Sequence, residues 1–177
     1  MSRRRRLFFA LEPGDRVRQQ ILSVQKSLAV EGRPVAPIQY HVTLAFLGMQ
    51  PPELIPSLQS VSSGLVLSPC EVALDRIGFF RKAGVLWPGS QGIPAELAAF
   101  REALVDGIEQ IGIDRDRKPW EFHLTLYRRL RMPLPTLGPV AIEWALTGFE
   151  LIESVGAKNG VEYHSIGQWN APGRAAG

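Results

Sequence analysis

His41-Val42-Thr43-Leu44 and His123-Leu124-Thr125-Leu126 are near copies of one another, and together they use two of the chain's three histidines and two of its four threonines. An imidazole titrates close to neutrality, so of two rings one can take a proton from water while the other gives a proton to a departing oxygen. Attack and departure at phosphorus lie on opposite sides. An in-line displacement therefore needs its base and its acid on opposite sides of the substrate. Two threonine hydroxyls can donate to the non-bridging phosphate oxygens as charge builds on them. If the fold brings the two segments face to face, His41 and His123 are catalytic candidates and Thr43 and Thr125 are substrate-binding candidates. That chemistry would be acid–base catalysis on a phosphoester, for which no metal is required.

Alternation along a strand puts His41 and Thr43 on one face, about 7 Å apart, with Val42, Leu44 and Phe46 on the other. The same split separates His123 and Thr125 from Leu124 and Leu126. Each segment thus buries an apolar side and offers one imidazole and one hydroxyl.

The elements that must position these segments also repeat. Leu7 to Leu11 reads as a buried strand ended by Glu12-Pro13-Gly14, followed by a helix with Asp15 as N-cap. Val17, Ile21, Val24 and Leu28 recur there at helical spacing, and Gly32 and Pro34 stop the pattern. A strand from His41 to Leu47, closed by Gly48, follows. In the second half Val85 to Trp87 is a short strand closed by Pro88-Gly89. Leu97, Phe100, Leu104, Ile108 and Ile111 mark an amphipathic helix, and a polar loop, Asp114 to Pro119, leads to the strand near His123. Strand, helix, loop and HxT strand therefore occur twice in the same order. This predicts an internal duplication with a pseudo-two-fold axis that places the two HxT strands across one cleft. Leu54, Leu58, Val61 and Leu65 suggest a further helix, Glu71 to Phe79 a strand, Val140 to Glu153 one or two strands, and Val161 to Trp169 the last. Ala171 to Gly177 reads as a frayed tail.

A chain of 177 residues, 45% hydrophobic, fits one compact domain spanning 1–177. No apolar run approaches the ~20 residues of a bilayer span, and the N-terminus lacks a secretory signal, so the expectation is a cytoplasmic protein with no membrane partner. Cys70 stands alone and reads as a buried or half-buried thiol. The formal charge is +3, and Arg3 to Arg6 account for more than all of it. Those four read as a solvated lead-in to the first strand. Arg115, Arg117, Lys118, Arg128, Arg129 and Arg131 form a second basic concentration around the second HxT segment. A metal-dependent hydrolase is disfavoured because no HxH or HExxH occurs and neither histidine has a carboxylate at ligand-like spacing. His164 reads as a sheet or surface residue, and the tryptophans as core. Trp120, in a basic loop beside the second motif, is the exception.

"HVTLAFLG" and "HLTLYRR", with "RLFFAL" at the start, "VLWPG" before the second long helix and "ESVGAKNGVEYHSIGQW" near the end, resemble the two-histidine (2H) phosphoesterase superfamily nearly end to end. The chain is most similar in pattern to the RNA 2',3'-cyclic phosphodiesterases also called 2'-5' RNA ligases. The resemblance implies a bilobal α+β fold with two antiparallel sheets flanked by helices. It also implies hydrolysis of an RNA 2',3'-cyclic phosphate to a 2'-phosphomonoester without metal or nucleotide cofactor, His41 as general acid and His123 as general base. The partner would be RNA with a 2',3'-cyclic phosphate end or a small cyclic nucleotide, met by a monomer. Family members also join RNA ends through a 2'-5' linkage, which needs no ATP because the cyclic ester stores the activation. The pattern further points to the fifth residue after each histidine, with Phe46 stacking on a base and Arg128 meeting phosphate. Simple alternation puts both on the face away from the histidines. Where relatives commonly carry Arg-Pro before the second histidine, this chain has Glu121-Phe122, which removes a positive charge near the pocket mouth. An alternative keeps the site but makes the protein an RNA-binding or RNA-end-joining module in which hydrolysis is incidental.

Overall fold

A computed structural model describes residues 3–130, 138–158 and 160–170. Arg131 of the basic concentration and the 171–177 tail lie outside the described residues. The fold is α+β. Strand β1 (Arg5–Leu11) leads through α1 (Asp15–Ser27) and β2 (Arg33–Pro34) to β3 (Val42–Gln50), and α2 (Ile55–Ser63) follows. Then come β4 (Cys70–Leu74), β5 (Arg76–Phe80), β6 (Val85–Gly89), α3 (Ala95–Gln110) and β7 (Tyr127–Arg128). The chain closes with β8 (Ile142–Leu146), β9 (Gly148–Ala157) and β10 (Gly160–Asn170). Among the described residues one four-stranded sheet has the order β10-β9-β1-β3, a second has β2-β7-β6-β5, and β4 pairs with β8. Every pairing is antiparallel.

The central place of β1 explains its unbroken apolar run. Leu7, Phe9 and Leu11 face the main core, while Phe8 and Ala10 pack with Ile152 on the other face, so neither side of the strand meets water. The main core is continuous from the first half to the second, taking Ile21 from α1, Leu44 from β3, Leu104 from α3, and Leu124 and Leu126 from the second HxT segment.

Several sequence expectations are adjusted. Asp15 is the first residue of α1 and the cap position is Gly14, whose extended backbone makes no side-chain cap. Asp15 instead lends its negative charge to the first turn, where the helix dipole favours it. Gly48 does not close β3. It lies within the strand at φ 72°, a conformation glycine adopts without penalty. The single strand expected over Glu71 to Phe79 is two, because Asp75 breaks it. The Asp75 amide donates to Gly89 O (2.9 Å) and its carboxylate accepts from the Gln91 amide (2.8 Å), so the chain leaves β8 and joins β6. Nor is Arg3 to Arg6 only a solvated lead-in. Arg5 and Arg6 belong to β1, and Arg5 is ion-paired with Glu153 on β9. Cys70 is half-buried and His164 is an exposed β10 residue beside Glu162, both as expected.

Candidate active site

The two HxT segments meet directly. Val42 and Leu124 form an antiparallel bridge, and both side chains are fully buried. Continuing that register sets His41 opposite Thr125 and Thr43 opposite His123. Alternation turns all four toward the face away from the core, where each is half-buried. The second segment is held from its other side by β6, through a Gly89–His123 bridge and the Leu124 and Leu126 amides donating to Pro88 O and Leu86 O (2.9 Å each). Gln25, buried on α1, locks the arrangement: its amide donates to Val35 O (3.0 Å) and Leu126 O (2.8 Å), and its backbone carbonyl accepts the Tyr127 hydroxyl (2.9 Å).

Each ring is fixed in the same way. His41 Nδ1–H donates to Gln39 O (2.8 Å) and His123 Nδ1–H donates to Glu121 O (2.9 Å), the carbonyl two residues back in both cases. A carbonyl only accepts, so the neutral rings carry their proton on Nδ1 and keep the lone pair on Nε2. Two aromatic rings flank each imidazole. Phe8 and Tyr163 lie 5.0 and 5.2 Å from His41, and Phe80 and Trp87 lie 5.0 and 5.7 Å from His123, centroid to centroid. Trp87 reaches His123 by crossing β5 at Gly78, where a side chain would collide with the indole.

Burial pushes both imidazoles down, His41 to about 4. The carbonyl bond opposes this in each, and the positive charge of Arg128 depresses both. His123 in turn depresses His41, so the rings sense one another across the cleft. Glu121 favours the charged form of His123, and its carboxylate is ion-paired with Arg76, whose guanidinium lies 5.2 Å over Trp87. Phe122, the other half of the Glu-Phe pair, is buried against Trp120 and Trp144.

Phe46 and Arg128 both stand on the histidine side, which simple alternation does not give. Along β1, Thr43 is opposite Ala10 but Phe46 is opposite Phe8, so β3 holds one extra residue between them and Phe46 returns to the face of Thr43. The second segment slips likewise: Gly89 faces His123 whereas Leu86 faces Tyr127, again one residue more. Leu126 and Tyr127 are consecutively buried and Arg128 turns outward, close enough to both imidazoles to depress them.

A cavity of about 330 Å³ opens beside the pair, lined by Thr43, Phe46, Phe80, Lys118, Trp120 and His123 among others. Trp120 is partly structural there. Its indole N–H donates to Thr43 O (2.8 Å), while Arg101 lies 4.6 Å over its ring and donates to Leu44 O (2.9 Å). Arg115 is taken up by α3, where it pairs with Glu102, Asp106 and Glu109, so the basic concentration is weaker at the cavity than its sequence suggests. Phe8, Trp87, Tyr163 and Glu121 lie in segments singled out in the sequence, but no spacing ties them to the histidines, and Phe80, Gln25 and Arg76 have no signal there.

The two-sheet α+β fold is that of the LigT structures. The crystal structure of E. coli LigT complexed with 3'-AMP superposes with a TM-score of 0.88 at 27% identity, covering 96% of this chain and 99% of that one. A family model described as LigT-like phosphoesterase matches residues 11–87. The RNA 2',3'-cyclic phosphodiesterase of Escherichia coli strain K12 is 30% identical over 174 residues, covering 96% of this chain and 98% of the relative. The protein of the same description from Thermus thermophilus is 34% identical over 164 residues, covering 84% and 81%. The chain belongs to the LigT-like phosphoesterase family, hydrolases that act on phosphodiester bonds.

Proposed function

We propose that the protein hydrolyses an RNA 2',3'-cyclic phosphate to a 2'-phosphomonoester by metal-independent two-histidine catalysis. His123 Nε2 takes a proton from water as its oxygen attacks phosphorus, and His41 Nε2 gives a proton to O3' as the P–O3' bond breaks. Thr43 and Thr125 donate to the non-bridging oxygens, Phe46 stacks on the terminal base and Arg128 meets the phosphate. The observation that carries this reading is the Val42–Leu124 bridge, which brings two Nδ1-anchored imidazoles to one cleft in a crosswise arrangement with two hydroxyls. With its affinity lowered to about 4, His41 is neutral in the empty site and acts as the acid only after it gains a proton with the substrate. The substrate's negative charge, entering between the rings, raises both and supplies that proton's stability. With a 5'-hydroxyl of a second RNA in place of water, the same step forms a 2'-5' linkage and needs no ATP.

The domain is read as one bilobal unit over 1–177 with an internal duplication. The shared order of strand, helix and HxT segment supports this, as do the matching one-residue slips after each threonine. We take the enzyme to act as a cytoplasmic monomer, in keeping with its lone cysteine. Among the described residues no helix is long and apolar enough to cross a membrane.

The test is incubation with a defined RNA bearing a 2',3'-cyclic end in the presence of EDTA. The expected product carries a 2'-phosphate. A 3'-phosphate product, or loss of turnover to the chelator, overturns the proposal, and RNA affinity that persists without any hydrolysis favours a binding module instead.

A further inference from the structure

Each imidazole is held by the carbonyl two residues back, and in both halves the residue that supplies this carbonyl sends its side chain to a neighbouring strand. The carboxylate of Glu121 is ion-paired with Arg76 on β5. The side-chain amide of Gln39 donates to Val161 O on β10. Twice, then, a backbone oxygen meets the ring while the side chain of the same residue is tied outward. The second tie carries charge and acts on His123 through it. The first is neutral and acts on His41 through position.

Gln39 ends a single 3-10 turn, Pro37–Gln39, just before the first HxT segment. The closing carbonyls of a helical turn have no partner inside it, so Gln39 O can take the His41 Nδ1–H (2.8 Å). The turn's own bonds, Gln39 N to Ala36 O (2.8 Å) and Tyr40 N to Pro37 O (3.1 Å), fix its shape but not its place. Its place is set from outside. Arg18 of α1 secures the start by donating to Pro37 O (2.8 Å), and the Gln39 amide secures the end on β10. Two residues further along β10, Tyr163 stands edge-on to both His41 and Phe8, 5.2 and 5.3 Å between centroids. One short stretch of the last strand therefore meets the ring and also the turn that anchors it.

We propose that the side-chain amide of Gln39 is a positioning group for His41: by fastening the end of the turn to β10, it holds in place the carbonyl that keeps a proton on Nδ1 and aims Nε2 into the cleft. A charged ring keeps the same Nδ1–H bond, so a fixed carbonyl both directs Nε2 toward the leaving oxygen and steadies the imidazolium that must donate. Releasing it gives up both. The effect on turnover rests on the reading of His41 as the acid, whereas the effect on the ring does not.

The test reads the ring nitrogens of both histidines by nitrogen-15 NMR, and turnover of a 2',3'-cyclic nucleotide, in the intact protein, Gln39→Met and Gln59→Met. Methionine keeps the length of glutamine but cannot donate. Gln59 of α2 makes the same kind of bond to the same strand, to Ile166 O (2.9 Å), so its variant loosens β10 without touching the turn. In the intact protein both neutral rings are expected in the Nδ1–H form. Gln39→Met should admit the Nε2–H form at His41 alone, and lower kcat by about tenfold with KM changed by less than about twofold, as for one lost hydrogen bond felt in the chemical step. Gln59→Met should leave both rings and kcat as they are. A His41 tautomer unchanged in Gln39→Met overturns the inference, and so does the same change of tautomer in Gln59→Met. If Gln39→Met does not fold, Gln39→Asn, whose amide falls one methylene short of Val161, is read by the same criteria. If the intact protein hydrolyses no cyclic nucleotide, the hydrolytic reading falls and the tautomer of His41 alone decides whether Gln39 positions the ring.

Discussion

His41 directly precedes β3, a nine-residue strand paired along β1, whereas the segment of His123 ladders over only the two residues of β7 and otherwise leans on β6 by isolated bonds. Despite that, the two imidazoles are held alike, by the carbonyl two residues back and by a pair of aromatic rings. The halves differ in charge. Gln39 supplies one anchoring carbonyl and Glu121 the other, and the fifth residue after the histidine is Phe46 in one half and Arg128 in the other. Position is therefore set by what the halves share, and so is the lowering of both rings by burial, while the Glu121 carboxylate, which has no counterpart at Gln39, separates the proton affinity of His123 from that of His41.

Removing either ring is the largest perturbation. His41→Ala and His123→Ala should each lower kcat for a 2',3'-cyclic substrate by about 10²–10⁴-fold, and the double variant should be little worse than the poorer single one, because the pair acts as a unit. Near-normal turnover in either single variant would end the shared mechanism. The fifth positions come next. Phe46→Ala should cost about 1–3 kcal/mol of substrate binding, read as a rise in KM that depends on the base, while Arg128→Gln should raise KM for every base alike. An identical response from the two variants would erase the functional distinction between the halves.

The smallest effects are in proton affinity, measured by NMR titration of the ring signals. Glu121→Gln takes away the carboxylate that favours charged His123, so that ring should titrate at lower pH while His41 stays put, and Gln39→Glu should raise His41 instead. Stability follows the same signs. Both rings fold in neutral with their affinity lowered, so between pH 6.5 and about 4 the unfolded chain binds protons that the native state refuses. Their contribution is present above that window and is lost as the pH falls through it. His41, the more strongly lowered, should account for more of the decline: urea midpoints of His41→Phe should lose more of their acid dependence than those of His123→Phe.

Much of this is legible in the sequence. The doubled HxT segments, the helices before them and the apolar faces behind them follow from period and spacing, because those features are set locally. The side on which Phe46 and Arg128 stand is not, since one extra residue after each threonine resets the alternation and only the partner strand reveals it. The split at Asp75 is hidden for a similar reason: its bonds run to Gly89 and Gln91, beyond any local window. Arg115 reads as available to a polyanion because the three carboxylates that claim it are spread along α3. Glu121 is noticeable as a departure from the family pattern, but its pairing with Arg76 under His123 is a tertiary fact.

The crosswise register has a consequence for inheritance. Each imidazole looks across at a hydroxyl encoded in the opposite half of the gene, and the first sheet takes β9 and β10 from the far end of the chain. A premature stop midway would leave no fractional enzyme, only a lobe missing half its sheet and both of its working pairs.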